Sequence, residues 1–256
     1  MRVRVWVLFS VLVASVAWAE RPFPWTWTSS TQARGTTDVE LWTTVRTGRP
    51  TPYDLLEVRG WVSAGLLRQV DLHFGLETDV LLMRRENKAF EGRLSGLARY
   101  RFLDPDVLGI ALLVRAGVGL EAGVLESRLV LDRVFGTLLL AANGAFERTV
   151  FYDRRDAIDT RFEASLALRL QVSPAVTAGF EGRSRTGLKS GEYQGTAIYL
   201  GPTLSISTKW VWLSVGAVAQ VAADKAEGDR FNGQPIIFRD DERFGVRLVV
   251  AAPTAR

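Results

Sequence analysis

The chain contains no cysteine and one histidine among its 256 residues. Without thiols there is no disulfide framework, no thiolate metal site and no thiol catalysis. With His73 as the only imidazole, a metal centre built on nitrogen donors lacks its ligands. Long apolar runs are scarce too. Beyond residue 20 the longest stretches free of charge, 193–208 and 210–223, are shorter than a membrane-crossing helix and carry Gly, Ser or Thr, so no transmembrane helix is expected. Missing as well is the 3.6-residue apolar period, and Gly or Pro recurs too often for long helices.

What is present begins with MRVRVWVLFSVLVASVAWAE. Arg2 and Arg4 precede an apolar run, and Ala17-Trp18-Ala19 offers a small-residue cleavage point, so residues 1–19 read as a secretory signal peptide. Its removal takes Arg2 and Arg4 with it, leaving 30 of the 32 basic residues against 28 acidic ones, a net charge of +2. The charges are interspersed, so neither a phosphate-binding patch nor a nucleic-acid partner is expected.

The dominant pattern after the signal has period two. In RFEASLALRLQV, Arg161, Glu163, Ser165, Ala167, Arg169 and Gln171 share one parity, and Phe162, Ala164, Leu166, Leu168, Leu170 and Val172 the other. Such alternation marks a strand with one apolar and one polar face. It recurs over about twelve segments: 38–47, 54–66, 70–82, 90–102, 108–120, 125–133, 136–150, 161–172, 175–183, 196–207, 209–221 and 243–250. Tight turns follow the even-numbered segments, and longer polar loops follow most of the odd ones, including SRTGLKSGEYQG and the longest, 223–241.

A soluble barrel or sandwich also alternates. Length separates the two cases, because crossing an apolar band of about 25 Å at a tilt near 45° takes roughly 11 residues, against about 5 to 6 in soluble strands. Aromatic residues Trp42, Trp61, Tyr100, Phe102, Tyr152, Tyr193, Trp210 and Trp212 lie toward strand ends, as girdle residues at headgroup level do, although some fall on the polar parity. The expected fold is therefore all-β, an antiparallel up-and-down transmembrane β-barrel of about twelve strands, with ten to fourteen admissible. The expected organisation is 1–19 signal peptide, 20–37 periplasmic segment and 38–256 barrel.

The polar parity supplies the functional candidates. Glu57, Arg59, Arg93, Arg99, Arg101, Arg115, Glu163, Arg169, Glu181 and Arg183 are expected to face the lumen, seven basic against three acidic. In a wide enough barrel they line a mildly anion-favouring channel, and in a narrower one they pair across the lumen and plug it. His73 lies among Asp71, Glu77 and Asp79 and reads as a wall residue more readily than as a ligand. Ser63, on the adjoining strand, shares its side, but no GxSxG is present, so a lipid hydrolase ranks last. GVGLEAG at 117–123 is not followed by a helix and is no phosphate loop.

The closing RFGVRLVV places Arg243, Gly245, Leu248 and Val250 at a spacing that resembles the C-terminal signal of outer-membrane barrels, with aliphatic residues and the tail AAPTAR in place of a terminal aromatic. Together with DVELWTT and LGPTLSI, the chain is similar to bacterial outer-membrane β-barrel proteins of an uncharacterised, porin-like type. That resemblance implies the outer membrane of a Gram-negative cell, contact with its lipids, insertion by the barrel-assembly machinery and, for a pore, a small solute. It brings no cofactor and no catalytic residue.

Overall fold

The computed structural model describes residues 23–48, 53–83, 90–104, 106–153, 158–225, 230–231, 234–235 and 242–255. The signal peptide expected over 1–19 and most of the loop expected over 223–241 lie outside them. Twelve antiparallel strands form one closed sheet: β1 (Thr37–Thr47), β2 (Tyr53–Leu67), β3 (Val70–Met83), β4 (Phe90–Leu103), β5 (Gly109–Gly119), β6 (Ala122–Phe135), β7 (Leu138–Phe151), β8 (Ile158–Gln171), β9 (Val176–Lys189), β10 (Glu192–Ser207), β11 (Trp212–Lys225) and a C-terminal strand (Phe244–Ala255). Each strand pairs with its sequence neighbours, and the C-terminal strand closes the circle by pairing with both β11 and β1. No backbone edge remains, which is the condition for a sheet to stand in hydrocarbon.

Strand lengths run from 11 to 16 residues, enough to cross an apolar band of about 25 Å. Two expected boundaries move. The segment SRTGLKSGEYQG is not a loop: β9 and β10 continue through it to Lys189 and Glu192, which face each other across a two-residue turn. Ser190 (φ 50°) and Gly191 (φ 89°) both adopt the left-handed backbone such a turn requires, so the strands can pair right up to it. At the other end of the chain, the last strand, expected to end at Val250, continues through the tail in the ladder as far as Ala255, opposite Thr37. The connections after β2, β6 and β10 are short and lie at the end of the barrel that carries both chain ends, as the period-two reading implied.

The alternation sorts side chains by face. On β8, Leu166 is 68% exposed and Leu168 44%, whereas Ser165 next to Leu166 is 3% exposed. Similar apolar residues, among them Phe74, Leu94, Val118, Leu125 and Leu129, cover the outside over the whole circumference. A continuous apolar exterior of this extent has no place in water, where contiguous patches rarely exceed a few hundred Å². The inside holds the charges. This inversion answers how a chain with 23% charged residues can present a greasy surface.

The aromatic expectation is corrected in part. Tyr100, Phe102, Tyr152, Tyr193 and Trp210 are exposed on the outside, but Trp42, Trp61 and Trp212 are buried inside the barrel, packed with Leu97, Leu113, Val130 and Val249. Their parity decides this: Trp42 alternates with Glu40 and Thr44 on the face that points into the lumen.

Candidate functional site: an arginine-lined chamber above an inserted N-terminal segment

The segment before β1, expected as a periplasmic stretch over 20–37, folds into the lumen from the end that carries both chain ends. Phe23, Trp25, Thr26, Thr28, Ser29 and Gln32 are all buried. An irregular backbone inside a barrel needs partners for its peptide groups, and lumenal side chains supply them. Glu181 of β9 accepts from the amides of Trp25 (3.3 Å) and Thr26 (2.9 Å). Asn143 of β7 accepts from the Trp27 amide at 2.7 Å and donates back to its carbonyl at 3.0 Å. Asp132 of β6 takes the Ser29 amide and hydroxyl at 2.7 and 2.6 Å. Asp71 of β3 takes the Gln32 amide at 3.1 Å. Arg99 and Arg247 donate to the carbonyls of Thr28 and Pro24 at 3.3 and 3.1 Å.

Wall glycines make the room. A Cβ on Gly216 would meet the Trp25 ring at 2.6 Å, and one on Gly109 would lie 2.1 Å from the Ser29 hydroxyl. Phe23 packs against Leu139, Ala141 and Ala167, and Trp25 against Ala197, Tyr199 and Val218. The segment is thus held by polar and apolar contacts to strands on opposite sides of the barrel.

Above this layer the charged side chains form a closed circuit. It runs Arg46–Glu57 (2.7 Å), Glu57–Arg59 (3.8 Å), Arg59–Glu77 (3.9 Å), Glu77–Arg115 (2.7 Å) and Arg115–Glu126 (2.9 Å). It continues Glu126–Arg128 (3.0 Å), Arg128–Glu163 (3.1 Å), Glu163–Arg185 (4.0 Å), Arg185–Glu242 (3.5 Å) and back to Arg46 (3.2 Å). Following the strand order, the circuit passes once around the lumen. Glu147 adds a branch to Arg115 (2.7 Å) and Arg161 (3.1 Å), and Arg183 joins at Glu242 (2.6 Å). A buried charge with its partner removed is costly, so alternation of sign along the wall lets so many ions share one interior.

Glu242 comes from the connection before the C-terminal strand, not from a strand. Burial alone would raise its pKa, but the guanidinium groups of Arg46, Arg183 and Arg185 outweigh that and pull it down to about 2.

Between circuit and inserted segment lies an open chamber with a cavity volume of about 100 Å³. Eight arginines line it, Arg46, Arg59, Arg115, Arg128, Arg161, Arg183, Arg185 and Arg247, against three acids, Glu126, Glu147 and Glu163. Trp25 and Trp27 from the inserted segment, and Trp42 and Trp61 from β1 and β2, complete the lining with Leu97 and Ala145.

Of the residues expected to face the lumen, Glu57, Arg59, Arg115 and Glu163 are in the circuit, while Arg183 and Arg93 touch it, the latter 3.6 Å from Glu77. Arg99 and Glu181 instead hold the inserted segment, Arg99 also pairing closely with Asp71. Arg101 sits at the rim, donating to the Arg68 carbonyl at 3.0 Å, and Arg169 is half-buried near the same end. Gly245 faces inward, Leu248 and Val250 outward, and Arg243 extends the ladder through its amide to Thr47. Sequence reasoning missed Arg46, Glu77, Glu126, Arg128, Glu147, Arg185 and Arg247 as lumenal partners. Parity could have found Arg46 and Arg247. Arg185 was hidden by the mistaken loop.

Ser63 and His73 do face each other across β2 and β3. Ser63 is fully buried, its hydroxyl accepting from Gln32 Nε2 at 2.5 Å, and His73 Nε2 lies 3.1 Å from Asp71 with its ring edge on Trp27. The pair is sealed beneath the inserted segment, which leaves a lipid no access. Among the described residues no group of three or more metal-ligating side chains comes together.

These features define a class: a closed twelve-stranded antiparallel barrel with an apolar exterior and an ionised interior. Solved structures of that class superpose on the chain. The COG4313 outer membrane channel from Pseudomonas putida F1 matches with a TM-score of 0.63 at 12% identity, over 88% of this chain and 97% of that one. A NanC porin matches with 0.56 at 10% identity (84% and 98% covered), and a KdgM porin in complex with disordered oligogalacturonate with 0.53 at 12% (84% and 98%). At such identities the likeness concerns the fold, which is that of outer-membrane channel and porin barrels. No family model matches the chain, and no curated protein matches it in sequence.

Proposed function

We propose that the chain is an outer-membrane passive channel for small anionic solutes, exported by its signal peptide, inserted by the barrel-assembly machinery and surrounded by outer-membrane lipid. The observation that carries this reading is the chamber, where eight arginines meet three lining acids and three more paired behind them, Glu57, Glu77 and Glu242, an excess of two positive charges inside a barrel with an apolar exterior. A low-dielectric wall concentrates the field of such an excess and raises the local anion concentration. Both chain ends, and with them the inserted segment, then lie on the periplasmic side. The lumenal arginines set selectivity, and the segment narrows the path.

The test is conductance in planar bilayers. The processed chain is expected to open in small discrete steps with an anion-directed reversal potential under a salt gradient, and cation preference would overturn the anion reading. A second reading, a closed barrel with a structural or surface-binding role, is favoured by the inserted segment and the circuit together. Silence from folded protein, both with and without residues 20–33, would select it.

A further inference from the structure

Two features of the chamber are not accounted for by anion selectivity alone. One is its aromatic content: six tryptophans follow residue 19, and four of them, Trp25, Trp27, Trp42 and Trp61, line this one space. A selectivity field needs arginines and water, not indoles. The other is a set of orphaned donors. Trp25 Nε1, Trp61 Nε1 and Arg183 Nε are buried without a hydrogen-bond partner in the protein. Buried donors are almost always satisfied, so such a group points to water or to an acceptor brought by a ligand.

Placement joins the two. The guanidinium of Arg247 lies 5.4 Å from the centre of the Trp25 ring and 5.6 Å from that of Trp42, and Arg183 lies 5.4 Å from Trp25. Trp42 in turn neighbours Trp27 (5.9 Å) and Trp61 (6.4 Å), with Leu97 in the same cluster. Anion-binding groups and an apolar aromatic surface are therefore side by side, within the length of one small molecule. The cavity volume, about 100 Å³, limits an occupant to about the size of one ring.

We infer that the chamber is a binding site for a carboxylate carried on an apolar ring, aromatic or alicyclic. The carboxylate pairs with guanidinium groups of the Arg183 and Arg247 cluster, and the ring lies against the tryptophans. This rests on the channel reading only for its physiological meaning, because the site would bind whether or not it conducts. Half its tryptophans belong to the inserted segment, so the site exists only while that segment is in place. A ligand and the open path thus make opposite demands on residues 23–33.

The experiment is a titration of tryptophan fluorescence, with calorimetry beside it, on the processed chain refolded in detergent. The probes are benzoate, cyclohexanecarboxylate, acetate, benzyl alcohol and glucuronate. Saturable binding is expected for the first two, at least tenfold tighter than for acetate, which lacks the ring, or benzyl alcohol, which lacks the charge. Arg247→Gln is expected to weaken benzoate at least tenfold. Because that change also touches the ion circuit, Trp61→Phe serves as a second variant that keeps an aromatic ring and removes one orphaned donor, with a severalfold loss expected. Removal of residues 20–33 is expected to abolish binding while raising conductance. Acetate binding as tightly as benzoate, glucuronate binding more tightly than benzoate, or no saturable binding would each overturn the inference. Binding without conductance would instead count against the channel alone.

Discussion

At the scale of single residues, Glu242 ties three arginines together. Its carboxylate, fully buried, faces Arg46, Arg183 and Arg185, and its depressed pKa ties the charge to folding. A carboxylate held below its ordinary value of 4.5 contributes stability that is complete above that pH and is lost as pH falls toward about 2. Urea midpoints of the folded barrel should therefore drop between those two values, and Glu242→Gln should flatten the drop. The same substitution leaves three arginines short of a counter-charge and is expected to cost about 3 to 5 kcal/mol. It should also move the reversal potential further toward anions. Identical acid profiles for the wild type and the Glu242→Gln variant would count against this account of the charge.

The inserted segment belongs to the next scale, that of an element without regular structure. Its backbone is satisfied by Glu181, Asn143, Asp132 and Asp71, each on a different strand. Glu181→Ala would leave two buried amides without an acceptor, a loss of about 1 to 3 kcal/mol for each group. That should speed hydrogen exchange at Trp25 and Thr26 and increase open-channel noise, while the strand ladder stays protected. A side chain on Gly216 acts from the other direction, since Gly216→Leu would drive a branched group into the Trp25 ring. Conductance steps larger than wild type are expected from it, in a barrel whose far-ultraviolet circular dichroism is unchanged. Unaltered steps would mean that the segment does not limit the path. The sequence offered little warning of this element, because PFPWTWTSST has neither a long strand period nor a helical one. Its fate depends on which carboxylates and glycines the closed wall presents.

For the whole molecule, closure and inversion of polarity act together. The apolar face turns outward to lipid and the ionised face inward, so the lumenal charges can pair with one another or face the chamber. The protein is expected to shift its mobility on heating in detergent gels and to fractionate with outer membranes. Recovery as a freely dissolved periplasmic species would overturn the membrane reading. Much of this was legible beforehand: the strands came from period two, and their number and order from the turn residues between them. Trp42 and Trp61 turned inward with the polar parity they already showed in the sequence, and nearness to a strand end was a poor guide for them and for Trp212.

Local alternation in the sequence was enough to determine which face of each strand is greasy, because successive side chains on a pleated backbone point to opposite sides whatever the strand is paired with. It could not determine who meets whom across the lumen. Arg115 finds Glu147 32 residues away, Arg46 finds Glu242 196 residues away, and Glu181 finds Trp25 156 residues away. Those meetings depend on the curvature and register of a closed sheet, and on the volume it leaves inside for a segment to enter. Both are properties of all twelve strands at once, and only the tertiary structure decided them.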